Sequence, residues 1–175
     1  MKISVLGLGY VGAVSGACLA ELGHEIVGMD VDTFKVETIN KGHAPIVEEL
    51  IGELTKSMVA AGRFRATTDV AAAIAETELS IVCVGTPSAS TGDLDTTYVH
   101  RVCEEIGAEL KKKDGYHLVV IRSTVLPGTV ERILAPALET ASGKRVGEDF
   151  GLCFHPEFLR EGSSVKDFRE PPKIV

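Results

Sequence analysis

The sequence contains no tryptophan, and aromatic residues make up only 5% of its 175 positions. A base-stacking platform is built from such rings, so the chain is poorly supplied to hold single-stranded nucleic acid. Positive charge is also scarce. The net charge is −7, and the longest basic run is Lys111-Lys112-Lys113. Binding to a phosphate backbone requires a basic stripe, whereas three lysines closing a helix are accounted for by its carbonyl end. Nucleic acid is therefore excluded as a partner. No apolar run approaches the roughly 20 residues that span a bilayer. The short N-terminal apolar run leads into glycines and not into a signal-peptide cleavage site, so no membrane is expected and the cytosol is the expected compartment. The four cysteines, Cys18, Cys83, Cys103 and Cys153, form no CxxC pair and have no metal-ligand spacing. Each lies in an apolar stretch, where a thiol behaves as a small core hydrophobe. No metal is expected.

What is present is an ordinary globular balance, 45% hydrophobic and 25% charged, in a length that suits one domain with a full core. Short apolar runs alternate with longer amphipathic ones, the pattern of βαβ units on a parallel sheet. Strands are expected at 2–6, 25–29, 64–67, 79–84, 118–121 and 151–154. Helices are expected at 11–22, 33–40, 47–61, 70–75, 97–113 and 130–140. Gly23 and Gly42 suit helix C-termini, and Asp32, Asp69 and Asp95 or Thr96 suit N-caps. About six strands wound by helices on both faces give a Rossmann-type, doubly wound α/β fold of order 3-2-1-4-5-6 with right-handed crossovers. The final Pro171-Pro172-Lys173-Ile174-Val175 reads as a turn entering a further strand.

The apolar run Ile3-Ser4-Val5-Leu6 leads directly into Gly7-Leu8-Gly9-Tyr10-Val11-Gly12, a GxGxxG pattern. A strand must here turn tightly into a helix whose start faces a pyrophosphate. Gly7 suits the turn, Gly9 leaves the phosphates unobstructed, and Gly12 permits close helix–strand packing. The amides of Tyr10 and Val11 lie inside the loop, where helix-terminal N–H groups face an anion. Asp30, eighteen positions past Gly12, is placed to accept the adenosine ribose hydroxyls and to repel a 2′-phosphate, which selects NAD over NADP. A solvated helix cap is the other use of such an aspartate. Lys35, one turn later, is either a ribose contact or a plain surface lysine.

Ligands of an open α/β sheet lie outside the carboxyl ends of its strands. Thr86, after the fourth strand in Gly85-Thr86-Pro87-Ser88, is a candidate contact or simply a turn residue. The fifth strand runs into Arg122-Ser123-Thr124-Val125-Leu126-Pro127-Gly128, a polar cluster where nicotinamide and substrate would meet. The sixth runs into His155-Pro156-Glu157-Phe158-Leu159-Arg160-Glu161-Gly162. A helical course would project Glu157 and Glu161 from one face, suited to acid/base work or to plain solvation.

Taken together, GLGYVG, Cys-Val-Gly-Thr-Pro-Ser at 83–88, Arg-Ser-Thr-Val-Leu-Pro-Gly-Thr at 122–129 and Pro-Glu-Phe-Leu-Arg-Glu-Gly at 156–162 resemble the UDP-glucose/GDP-mannose dehydrogenase family across the whole chain. Within it, Gly92-Asp93-Leu94-Asp95, Pro45-Ile46-Val47-Glu48 and Ser142-Gly143-Lys144 with Asp149-Phe150 are most similar to the members that oxidise GDP-mannose. The resemblance implies a twofold oxidation of a nucleotide-sugar C6 alcohol to a carboxylate, with two NAD reduced. It also implies that Tyr10, Val11, Asp30, Lys35, Thr86 and Thr124 contact NAD. Thr124 would further position the reactive water, Glu161 would contact the sugar nucleotide or assist thioester hydrolysis, and Glu157 would join the same acid/base cluster. The partner implied is a nucleotide sugar, GDP-mannose or UDP-glucose, and the whole enzyme would be a homodimer.

Two departures stand out. His155 occupies a position where the family commonly has asparagine. The family's nucleophilic Gly-Gly-x-Cys-x-Pro-Lys-Asp segment, which follows a long central helix, does not occur in these 175 residues. The chain thus reads as the NAD-binding domain, with the central helix and C-terminal substrate domain outside it. Cys153, nearest the active end, is expected in the core on a buried strand with no base to activate it. Two other readings are a non-catalytic NAD-sensing module and a different dehydrogenase of the hydroxy-acid or 6-phosphogluconate type. The latter requires a catalytic histidine or lysine at the pocket, and His100 and His117 are not at strand ends.

Overall fold

A computed structural model describes residues 1–88, 92–171 and 173. Among these, six parallel strands form one sheet: β1 (Lys2–Leu6), β2 (Glu25–Met29), β3 (Phe64–Thr67), β4 (Leu79–Val82), β5 (Leu118–Ile121) and β6 (Gly151–Phe154). Their spatial order is β3-β2-β1-β4-β5-β6, the order expected from the sequence. Strand composition explains it. In β1, Ile3 and Val5 enter the core on one face and Leu6 enters the core on the other, with Ser4 also buried. A strand buried on both faces belongs in the interior of a parallel sheet covered by helices. One face is covered by α1 (Tyr10–Glu21), α2 (Thr33–Asn40), α3 (Ile51–Ala60) and α7 (Ser164–Arg169); the other by α4 (Val70–Ala75), α5 (Thr97–Leu110) and α6 (Ala135–Ser142).

Several boundaries differ from the sequence expectation, each for a local reason. The helix expected from 47 starts at Ile51, because Leu50 adopts a left-handed conformation with φ 66° and Val47 is fully exposed. The helix expected through Lys113 ends at Leu110. Lys113 then turns its ammonium onto the C-terminal carbonyls of α4, donating to Ile74 O at 2.6 Å and to Thr77 O, where a cation suits the helix dipole. The expected helix at 130–140 opens as a π-helical turn, Val130–Leu134, before α6. Pro136 lacks an amide proton and crowds the preceding turn, so the backbone widens ahead of it. The ladder of β4 ends at Val82, two residues early, where Cys83 and Val84 leave the sheet to meet the glycine loop. The further strand expected after Pro171 falls largely outside the described residues.

The cysteine expectation fails at one position. Cys18 and Cys103 are buried, but Cys153 is exposed, because β6 is an edge strand whose last residues have no covering layer here. At the opposite end of the sheet from the glycine loop, a buried polar chain links Ser4 Oγ, Ser80 Oγ and His117 Nε2, each step 2.7 Å. Burial, with Lys113 beside it, pushes the His117 imidazole down to about 4. His117 is thus a neutral core residue, away from the carboxyl ends of the strands.

Candidate functional site

The glycine loop occupies the crevice at the carboxyl ends of β1 and β4. Gly7 has φ 95°, open only to glycine without strain, and a Cβ there would lie 2.9 Å from the backbone of Cys83 and Val84. A Cβ on Gly12 would lie 1.8 Å from Gly7 O. Gly9 is different: a Cβ would meet no protein atom within 4 Å. The space above Gly9 is open, and α1 begins there with no side-chain cap and no acidic residue in its first turn. Its leading amides, Tyr10 and Val11 among them, lack intrahelical partners. This is an anion cradle that a pyrophosphate fits.

Asp30, at the end of β2, is 7% exposed, so it is not a solvated helix cap. Its Oδ2 accepts the Leu8 amide at 2.7 Å and the Lys35 ammonium at 3.1 Å, and its Oδ1 accepts the Asp32 amide at 2.9 Å. Asp32 takes the capping role, accepting from the Phe34 amide. Lys35 is thereby tied to Asp30 and is not a free surface lysine. A carboxylate oxygen has two acceptor positions, so Oδ1 retains capacity for a ribose hydroxyl.

On the other side of the loop, Thr86 Oγ1 donates to Thr124 O at 2.7 Å. Ser123 Oγ donates to Val84 O at 2.7 Å, and its amide to Val82 O. These bonds lock the ends of β4 and β5 together and bring Thr86 and Thr124, far apart in sequence, to one spot. Beneath them Arg122 is buried and donates from Nη1 to His155 Nδ1 at 2.8 Å. Burial, and then the Arg122 cation, keep the His155 imidazole below its ordinary value. His155 therefore serves as a neutral acceptor for the guanidinium. The Cys83 thiol nearby is pushed up to about 12 by burial, with Arg122 opposing and Glu157 reinforcing, so it is not a nucleophile at neutral pH.

The two glutamates do not share a helical face. Residues 155–160 have no regular secondary structure, because Pro156 interrupts and Glu157 Oε2 accepts the Leu159 amide at 2.9 Å. Glu157 lies on the Cys83 side, whereas Glu161 is exposed and lines a cleft of about 510 Å³ with Tyr10, Val47 and Glu48. The helix that does form, α7, starts later, with Ser163 Oγ on Asp167 and Arg160 gripping the same carboxylate at 3.0 and 2.7 Å.

Reasoning from residues missed the role of Glu48. Its Oε2 accepts the Tyr10 hydroxyl at 2.6 Å and the Gly162 amide at 2.8 Å, while Oε1 accepts the Ser164 amide at 3.0 Å. Burial opposes its ionisation, but the Tyr10 hydroxyl and the two amides outweigh that, and its carboxyl sits below the ordinary value. The only sequence signal was its place in Pro45-Ile46-Val47-Glu48; its partners lie 38, 114 and 116 residues away.

The chain matches the family model for the UDP-glucose/GDP-mannose dehydrogenase family, NAD binding domain, over residues 1–175. It is 51% identical to a GDP-mannose 6-dehydrogenase of Azotobacter vinelandii over the whole chain and 40% of that relative. It is 43% identical to a UDP-glucose 6-dehydrogenase of Haloferax volcanii, again over 40% of the relative. Among solved structures, a ternary complex of GDP-mannose dehydrogenase from Pseudomonas aeruginosa superposes with a TM-score of 0.97 at 48% identity, covering 98% of this chain and 39% of that one. The chain thus spans about two fifths of the length of these relatives.

Proposed function

The chain belongs to the UDP-glucose/GDP-mannose dehydrogenase family as its NAD-binding domain, and from that premise we propose that it supplies the dinucleotide half of a nucleotide-sugar 6-dehydrogenase acting on GDP-mannose. The observation that carries this reading is half identity over the whole chain to a GDP-mannose 6-dehydrogenase, with the polar motifs after β5 and β6 lying beside the glycine loop. In the complete enzyme a C6 alcohol would pass through an aldehyde to a carboxylate, with uptake of one water. Bound NAD would accept one hydride in each of the two oxidations.

This chain's residues bind and orient. The Tyr10 and Val11 amides take the pyrophosphate at the start of α1. Asp30 takes the adenosine ribose and repels a 2′-phosphate, with Lys35 holding its carboxylate in place. Thr86 and Thr124, joined by their hydrogen bond, flank the nicotinamide end, and Thr124 also positions the reactive water. Glu161 meets the sugar nucleotide from the open cleft, and Glu157, on the Cys83 side of the strand ends, is the second acid/base group. Covalent chemistry would fall to a cysteine outside these residues, in a longer homodimeric protein.

Calorimetric titration of the 175-residue protein tests the first half: NAD should bind and NADP should bind at least tenfold more weakly. Steady-state assay of the full-length enzyme tests the second, with kcat/KM higher for GDP-mannose than for UDP-glucose. The reverse preference would support the UDP-glucose alternative, which the 43% identity to the Haloferax enzyme keeps in view. No NADH production from either sugar nucleotide would overturn the reading.

A further inference from the structure

Glu48 joins two parts of the molecule that the proposed reaction uses separately. Through Oε2 it holds the Tyr10 side chain, whose amide lies in the glycine loop. Through both oxygens it holds the amides of Gly162 and Ser164, immediately after Glu161. The Tyr10 hydroxyl also lies 3.1 Å from Arg160 O, so the phenol sits between the carboxylate and the substrate-side segment. Behind it, Arg160 grips Asp167, and Arg169 grips Glu21 of α1 at 3.0 and 2.7 Å. The segment carrying Glu161 is thereby fastened to α1 at both ends, once through Glu48 and once through Arg169.

We propose that Glu48 is a positioning residue that couples dinucleotide occupancy of the glycine loop to the placement of Glu161. The inference rests on the NAD-dehydrogenase reading above. A pyrophosphate settling on the Tyr10 and Val11 amides fixes the start of α1, and with it the Tyr10 ring. Because the hydroxyl bonds a carboxylate that accepts the Gly162 and Ser164 amides, that constraint passes by two hydrogen bonds to the residue next to Glu161. By reciprocity, ordering of the Glu161 segment by a sugar nucleotide would tighten NAD binding by the same factor.

The test is an NAD titration of the 175-residue protein and its Y10F, E48Q and Y10F/E48Q variants, followed by calorimetry and by the backbone amide resonances of Gly162 and Ser164. Y10F keeps the ring and loses only the hydroxyl, so its folding is not in question if E48Q proves unstable. In the unmodified protein, NAD should shift both amide resonances and slow their hydrogen exchange. In Y10F and E48Q those NAD-dependent changes should disappear, and the dissociation constant for NAD should rise about fivefold, the lower range of site-to-site coupling. The double variant should be no worse than the poorer single one. The proposal is overturned if NAD binds but leaves Gly162 and Ser164 unmoved, or if the shifts survive in Y10F, or if the two substitutions act additively. If NAD does not bind the unmodified protein, the dehydrogenase reading itself fails.

Discussion

Asp30 Oδ2 accepts the Leu8 amide proton at 2.7 Å, so the acid that ends the second strand also holds the second residue of the glycine loop. The carboxylate proposed to take the ribose therefore also holds the loop geometry. D30A should lose NAD binding and also stability, since the buried Leu8 amide loses its acceptor at about 1–3 kcal/mol, whereas the amide of exposed Asp32 can turn to water. Urea unfolding and calorimetry on the same samples check both losses. An unfolding midpoint equal to that of the unmodified protein would mean that the Leu8 bond does not support the loop.

Gly9 and Gly12 should respond in opposite ways to the same added methyl. G12A drives a Cβ to within 1.8 Å of Gly7 O and should unfold well below the parent temperature. G9A meets no protein atom and should melt within a degree or two of the parent (roughly the shift of a change under 0.5 kcal/mol), yet bind NAD at least tenfold more weakly. Unchanged NAD affinity in G9A would show that the pyrophosphate does not lie over this glycine.

His117 makes the fold acid-sensitive. Its folded value, about 4, lies below the ordinary imidazole value, so the unfolded chain binds the proton first. Its contribution is fully present above about pH 6.5 and is lost as pH falls from there to 4, on the order of 3 kcal/mol across that window. H117Q should flatten this part of the stability–pH curve. Denaturant midpoints measured at intervals between those pH values read it directly, and parallel curves for the two proteins would refute the assignment.

Thiol labelling should find Cys153 first. It is exposed on the edge strand, whereas Cys18 and Cys103 are buried and the Cys83 thiol is pushed up to about 12. One rapidly reacting thiol is expected in the native protein and none in C153S, with NAD affinity unchanged by that substitution.

The 175-residue protein should bind NAD without forming NADH from GDP-mannose, whereas the full-length enzyme should do both. NADH production by the shorter protein would mean that a group within it replaces the family's cysteine.

What was legible in the sequence were features whose determinants are neighbours along the chain. The GxGxxG loop, the Asp32 and Asp69 caps and the six strands each depend on a few consecutive residues, so periodicity and turn chemistry suffice. The helical course that would put Glu157 and Glu161 on one face is not taken, and spacing alone cannot register that Glu157 accepts the Leu159 amide two residues on. Cys153 looked interior because β6 is apolar enough for a core strand, although the expected strand order already places that strand at the sheet edge.

By itself the sequence determined the doubly wound order, the glycine loop and the acid at the end of the second strand, since local propensity and hydrophobic pattern specify them. Tertiary structure alone decided that Asp30 braces Leu8, that Thr86 meets Thr124, and that Glu48 ties Tyr10 to Gly162 and Ser164. Those partners stand 22 to 116 residues apart, and a hydrogen bond forms only where the packed sheet brings its donor and acceptor within about 3 Å.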